Sequence, residues 1–339
     1  MNAVGIIGYG HYLPVGILTN QELAVRFGKT ETWIEERTGI RERRVADVHT
    51  ATSDMAANAA VYALKTAKLA PIDIDLIIVA TTTPDMVFPS TACLVQQKIG
   101  AAKAAAFDIS AACTGFVYGL DIATKYVLSG QYRNVLLIGA DKYSHITNPD
   151  DLNTSILFGD GAGAVLIGQV PSGYGALGTI LGSDGTRSDL LKVPAGGSRL
   201  PLTTDLLISK SNTISMNGRE VFQFAVKTFE KLINQIVAQA GLMVGDIALI
   251  VPHQANKRIL NSVSERLNLE PDKMFCNIEK YGNMSAASIP VALAEACNNG
   301  RIKKNDIILL IGFGAGLTWG ACLLRWYEKS QAISGRRED

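Results

Sequence analysis

The chain repeats itself, and that constrains its fold more than any other feature. "DIDLIIVATTTPD" begins at Asp73 and "DIALIVPHQANK" at Asp246, each an acidic start to an apolar strand that runs into a polar loop. "GQYRNVLLIGADK" from Gly130 is echoed by "GRIKKNDIILLIGFGAG" from Gly300. The separations, 173 and 170 residues, are nearly constant. An amphipathic helix precedes each strand, over about residues 53–69 in one copy and through Phe222, Ala225, Phe229, Leu232 and Ile236 in the other. Each copy holds a small-residue loop, "FDISAACTG" or "FCNIEKYGNMSAAS". Each then closes on a Gly-rich turn and a strand, "FGDGAGAVLIG" or "GFGAGLTWGACLLRW". Alternating helices and strands predict an α/β layered fold. We expect two similar halves, 1–172 and 173–328, in one packed body, an irregular excursion over 183–215 and a polar tail at 329–339.

Composition sets the functional classes. The 339 residues are 47% hydrophobic and 19% charged, enough for a large core, and the net charge of +1 gives no basic field for nucleic acid. The five cysteines are odd in number and form no C-x-x-C pair, which argues against a disulfide framework or a metal site and for a reducing compartment. No signal-peptide pattern opens the chain, and no apolar run approaches the roughly 20 residues of a membrane helix, so a cytoplasmic protein is expected.

Three loops follow strand ends in comparable places, where ligands of such sheets bind. Cys113 stands where a strand turns into a helix. A buried Cys is a good small hydrophobe, but a helix N-terminus also favours a thiolate. His253 follows the strand "IALIV" and Pro252, in a place that matches the thiol's in the other half. Asn283, in "YGNMS", reads as turn chemistry on its own, yet its amide is a neutral donor suited to a developing oxyanion. The glycines of "GFGAG" have the wrong spacing for a dinucleotide loop and instead allow close backbone approach and an N–H for an oxyanion. Cys93, Cys276, Cys297 and Cys322 read as core, and Trp33 with Arg37, four apart on a helix, reads as an exposed pair on a charged face.

"AACTGF", "PHQANKR", "YGNMSAASIP", "TGIRERR", "FGDGAGA" and "GFGAGLTWGA" together resemble the β-ketoacyl-acyl-carrier-protein synthase III family, from about Ile6 to Trp326. The resemblance implies a five-layer α-β-α-β-α thiolase fold. It implies a condensing enzyme with Cys113 as nucleophile and His253 and Asn283 as its partners, and backbone N–H groups of Cys113 and Ala315 at the oxyanion. Such an enzyme takes an acyl group from CoA onto the Cys and joins it to malonyl-acyl-carrier protein with loss of carbon dioxide. The family's pattern places Trp33 and Arg37 around the CoA adenine, Phe222 in the tunnel and Asn256 near the pantetheine arm. It places Gln254, Ala255, Asn256, Lys257 and Arg258 against the carrier protein. Phe88, Tyr143, Phe158 and Ile214 fall at the acyl pocket, with Phe88 reaching into a partner subunit, so a homodimer is implied, with no resident cofactor and no metal. Two positions depart from the pattern. Leu152 stands where many members have an adenine-gripping Arg, and Met284 where a Thr is usual. Specialised acyltransferases and polyketide starter enzymes use the same three residues. A thiolase would need a second Cys in the C-terminal Gly loop, and a cysteine peptidase has different surroundings for its Cys.

Overall fold

The computed structural model describes residues 3–328, so the polar tail predicted at 329–339 lies outside the described residues. The front sheet has the spatial order Ala3–Tyr12, Asp160–Val170, Val135–Lys142, Leu76–Ala80, Ala105–Ile109. The back sheet runs Gly175–Ser183, Thr318–Arg325, Ile307–Gly314, Leu249–Pro252. In both sheets the first two pairings are antiparallel and the third is parallel. The front sheet adds a fourth, parallel pairing; in the back sheet it shrinks to a bridge between Ile250 and Met274. Residues 171–174 connect the two.

Strand periodicity explains the layers, because successive side chains point to opposite faces. Leu76 and Ile78 enter the central core, while Ile77 and Val79 enter an outer one under the helices Thr52–Ala67 and Thr91–Ile99. Leu249 and Val251 likewise face inward, and Ile250 packs outward with Phe229, Ile233 and Ile259 of the helices Gly218–Gln239 and Lys257–Arg266. Strands buried on both faces lose polar alternation, as the continuous burial of "LIIVA" and "VLLIGAD" shows. Between the sheets lie two helices, Gly115–Leu128 and Ser288–Asn298, whose Phe116, Leu120, Ile289 and Leu293 share one core with both sheets. The stack is α-β-α-β-α.

The excursion after Ser183 holds short helical turns and a two-residue strand pair, Leu191–Lys192 with Ser215–Met216. Of the four cysteines read as core, only Cys322 is buried; Cys276 and Cys297 are half-buried and Cys93 is exposed. Cys93 sits one turn into a helix packed on one side only, so its apolar surroundings in sequence did not translate into burial. No helix among the described residues is long and apolar enough to cross a membrane.

Candidate active site

The two central helices each begin with the same irregular turn. Ala111, Ala112 and Cys113 lead into Gly115–Leu128; Met284, Ser285 and Ala286 lead into Ser288–Asn298. Ala112 and Ser285 both take left-handed φ, +46° and +50°, a conformation that costs a non-glycine residue energy and clusters at functional sites. The back-half counterpart of Cys113 is therefore Ala286, not His253. His253 extends its strand as Ala80 does in the front half, donating its N–H to the Ile311 carbonyl at 2.7 Å. The expectation that thiol and imidazole occupy matching places is corrected accordingly. They meet because the turns cross over. The front turn leans on the back strand Ile307–Gly314, and a Cβ on Gly312 would lie 3.5 Å from the Cys113 carbonyl oxygen and 3.7 Å from the His253 Cβ.

Asn283 is fixed by a third element. Its N–H donates to the Leu157 carbonyl at 2.9 Å, and its own carbonyl accepts from Gly159 N–H at 3.0 Å, a bridge that sets it beside Phe158. Its Oδ1 accepts from the Ser285 N–H at 2.9 Å, which leaves the Nδ2 amide to donate into the cavity. Cys113, His253 and Asn283 line one cavity of about 760 Å³, open to solvent and within the range of small-molecule sites. Trp33, Arg37, Asn256, Phe222 and Arg258 line the same cavity.

Burial dominates the electrostatics. Cys113 is 4% exposed, and loss of solvent pushes its thiol up to about 12 against the opposing pull of the Ser285 and Tyr143 hydroxyls; the buried charge of Asp141 adds to the rise. The helix N-terminus thus acts on a thiol that burial holds protonated. Burial alone pushes His253 down to about 3, so its imidazole is neutral at physiological pH. Its Nδ1 is buried with no hydrogen-bond partner, and the ring lines the cavity. Phe313 packs edge-on against the ring at 5.7 Å. At Gly314 an added Cβ would sit 2.8 Å from the Cys113 nitrogen, so only glycine leaves that N–H clear, and Ala315 follows in the turn to the next strand.

The other expected residues fall into three groups. Trp33 and Arg37 form a stacked pair, the guanidinium 4.2 Å from the ring centroid, at the cavity wall rather than on an open charged face. Asn256 caps the helix Lys257–Arg266 through its Oδ1 and donates from Nδ2 to the Arg37 carbonyl at 3.1 Å. Lys257 and Arg258 are exposed. Gln254 is not at a partner surface: it is 0% exposed, its amide donating to the Pro252 and Phe275 carbonyls and accepting from Asn277 N–H. Ala255 is buried too but touches the cavity. Tyr143 and Phe158 line the cavity with ring centroids 5.0 Å apart, whereas Ile214 packs behind them without reaching it. Phe88 is 83% exposed and touches no part of this chain's cavity. Met284 points away, into a side cluster with Leu13, Tyr281 and Val291, so it does not shape the cavity.

Ser285 lies inside the motif "YGNMSAASIP" and Asp141 inside the repeated segment "GQYRNVLLIGADK", but neither stands out there as a site residue. The Ser285 hydroxyl lies beside Cys113, Asp141 and Tyr143, yet as a buried oxygen it has no hydrogen bond of good geometry. The one signal that could have found both is the constant offset of the repeat, which sets Ser285 against Ala112 and Asp141 against Gly314.

Comparison with known proteins agrees with this geometry. Residues 107–185 match the family described as 3-oxoacyl-[acyl-carrier-protein] synthase III, and residues 237–326 match its C-terminal part. Curated relatives called beta-ketoacyl-[acyl-carrier-protein] synthase III include one from Caldanaerobacter subterraneus, 53% identical over 96% of this chain and 98% of its own length. One from Clostridioides difficile is 53% identical over 95% of this chain and 98% of its own. The crystal structure of 3-oxoacyl-[acyl-carrier-protein] synthase III from Aquifex aeolicus superposes with a TM-score of 0.89, at 45% identity, over 96% of this chain and all of that one. The priming β-ketosynthase of the R1128 polyketide pathway is more distant, 34% identical with a TM-score of 0.87 over 95% of this chain and 96% of that one. With a thiol, a neutral imidazole and a carboxamide in one cavity of a thiolase-like fold, the chain belongs to the β-ketoacyl-acyl-carrier-protein synthase III family and is a condensing enzyme that initiates fatty-acid synthesis.

Proposed function

We propose the following division of labour for the condensation. The Cys113 thiolate attacks the thioester carbonyl of an acyl-CoA, and the tetrahedral oxyanion is held by the N–H groups of Cys113 and Ala315. The C–S bond to CoA breaks, CoA leaves as a thiolate that takes up a proton from solvent, and the acyl group stays on Cys113. Malonyl-acyl-carrier protein then enters. Asn283 Nδ2 and His253 Nε2 donate to its thioester carbonyl. The bond to the carboxylate breaks, carbon dioxide departs, and its electron pair forms the enolate. The enolate carbon attacks the acyl-Cys carbonyl, and collapse of that intermediate releases the Cys113 thiolate and the 3-oxoacyl-carrier protein. Electrons and atoms balance without a redox cofactor or a metal.

The observation that carries this reading is the neutral donor pair beside a buried thiol. An imidazolium would hold the malonate carboxylate as an ion pair, opposing its loss, whereas neutral donors stabilise the enolate as it forms. The stacked Trp33 and Arg37 suit an adenine ring, since a π-face and a guanidinium both stack on aromatics. Leu152 lies in the apolar cluster beside Trp33, so the grip on the adenine rests on that pair without a further cation from this position. Lys257 and Arg258, exposed beside the cavity, suit an acidic carrier protein. The consecutive exposed apolar residues Met86, Val87 and Phe88 suit a second copy of the chain, with Phe88 completing the partner's acyl pocket as a homodimer. Five free thiols suit the cytoplasm.

The test uses a panel of acyl-CoA thioesters. Intact-mass analysis is expected to show one acyl group per chain, and adding malonyl-acyl-carrier protein to discharge it with release of carbon dioxide. Cys113→Ala is expected to lose both steps, by about 10³-fold or more. Condensation by that variant at the wild-type rate would overturn the assignment of the nucleophile.

A further inference from the structure

The two central turns share a backbone but not an occupant. Gly139 and Gly312 hold equivalent places in the two sheets, and an added Cβ would lie 2.2 Å from the Ala286 carbonyl oxygen in one and 3.5 Å from the Cys113 carbonyl oxygen in the other. Two residues further on, Asp141 is therefore the counterpart of Gly314. Where Gly314 leaves the space over the Cys113 N–H empty, Asp141 fills the matching space. Its Oδ2 accepts from the Ala286 N–H at 3.1 Å. Its Oδ1 accepts from Thr82 N–H at 2.8 Å and from the hydroxyls of Thr81 (3.1 Å), Thr82 (3.2 Å) and Thr83 (3.0 Å). It is fully buried and has no cation partner among its hydrogen bonds. Burial pushes its carboxyl above the usual range, and the hydrogen bonds from Thr82, Ala286 and Thr83 pull the other way.

We propose that Asp141 is the positioning residue for Asn283: an internal carboxyl group that fills the back-half copy of the oxyanion site and anchors the 284–287 turn. The link is short. The Ser285 N–H fixes Asn283 Oδ1, and the next residue's N–H is fixed by Asp141. The duplicated fold supplies two sites of one design. One is kept open for the substrate's oxyanion by Gly314, and the other is closed by the chain's own carboxylate.

Asp141→Asn discriminates this from a structural role. Its single side-chain oxygen goes to the four donors of residues 81–83, which turns its NH₂ toward the Ala286 N–H, donor against donor. Acylation of Cys113 by acyl-CoA is expected to stay within about threefold of wild type, while kcat for decarboxylation of malonyl-acyl-carrier protein falls by about 10²-fold, as misplacing a catalytic group by about 1 Å does. KM for that substrate should change far less. Asp141→Gly recreates the open front-half arrangement, and added formate is expected to restore both Tm and kcat in a saturable way. The inference deepens the condensing-enzyme reading and rests on it only for kinetics. If wild type itself fails to decarboxylate, that reading falls, and the formate dependence of Tm still decides this one. In wild type the Ala286 amide proton is expected far downfield, as a charge-assisted donor, and unmoved when Cys113 is acylated. A folded Asp141→Asn enzyme with wild-type kcat, an Asp141→Gly enzyme indifferent to formate, or an Ala286 amide at an ordinary shift would each overturn the proposal.

Discussion

The front turn at Cys113 and the back turn at Ala286 differ by what the strand of the opposite half presents to them. Both pair a left-handed residue with a helix N-terminus, and both lean on the opposite sheet. The back turn is closed: Ser285, Ala286 and Ala287 are fully buried and the Ala286 N–H is taken by a carboxylate. The front turn opens on a cavity and keeps its N–H clear under a glycine. A strained turn becomes a reaction site only where the neighbouring strand withholds a side chain. The same turn becomes a structural anchor where that strand supplies one.

The largest expected break in this comparison comes from placing a methyl over the front turn. Gly314→Ala puts a carbon 2.8 Å from the Cys113 nitrogen. Acyl-enzyme formation is expected to fall by about 10²–10³-fold, the usual cost of one lost oxyanion donor. The Tm should drop only modestly, because the cavity gives the turn room to shift. Gly139→Ala, at the counterpart of Gly312, puts a carbon 2.2 Å from the Ala286 carbonyl oxygen, in a turn with no such room, and is expected to lose Tm first, at about 1–3 kcal/mol of overpacking. Calorimetry alongside single-turnover acylation checks the pair. Equal losses of Tm with unchanged acylation in both would erase the distinction between open and closed turns.

The next effect is in pH. Because burial pushes the Cys113 thiol up to about 12, the thiolate fraction grows about tenfold per unit below that value. Carbamidomethylation of Cys113 by iodoacetamide, followed by mass, is expected to climb steadily from pH 6 to pH 9. His253, pushed down to about 3, stays neutral over that whole range and adds no step of its own. Ser285→Ala removes a hydroxyl that favours the thiolate and should slow the reaction at every pH. A plateau near pH 7 would mean that the helix end outweighs desolvation.

The smallest effect lies at the rim. Charge reversal of Lys257 and Arg258 is expected to raise KM for the malonyl-acyl-carrier protein by a few-fold at low salt. The difference should vanish by about 1 M salt, where the screening length is about 3 Å. Acylation by acyl-CoA, read in the same enzyme, reports whether Arg258 also serves the cavity that it lines. An unchanged KM at low salt would remove both residues from the carrier-protein surface.

Much of this molecule was legible in its sequence because duplicated strands leave duplicated patterns. The repeat, the layer order and the three residues of the site follow from apolar runs, loop positions and family motifs. Gln254 was misplaced for a physical reason: a polar residue in a motif next to charged ones reads as surface, and only tertiary structure supplies the three backbone partners that let it be buried. Met284 looked like a change in the site, but the turn aims it into a side core. Asp141 escaped notice because the residues that hold it lie 58 to 145 positions away in the chain.

The sequence alone determined which elements form and where the chemistry-bearing residues fall in them, since periodicity, turns and helix starts are local properties. Tertiary structure decided which of the two equivalent turns reacts. That choice rests on whether the strand of the opposite half presents a carboxylate or nothing at the point of crossing, and no local stretch of chain contains both partners of that contact.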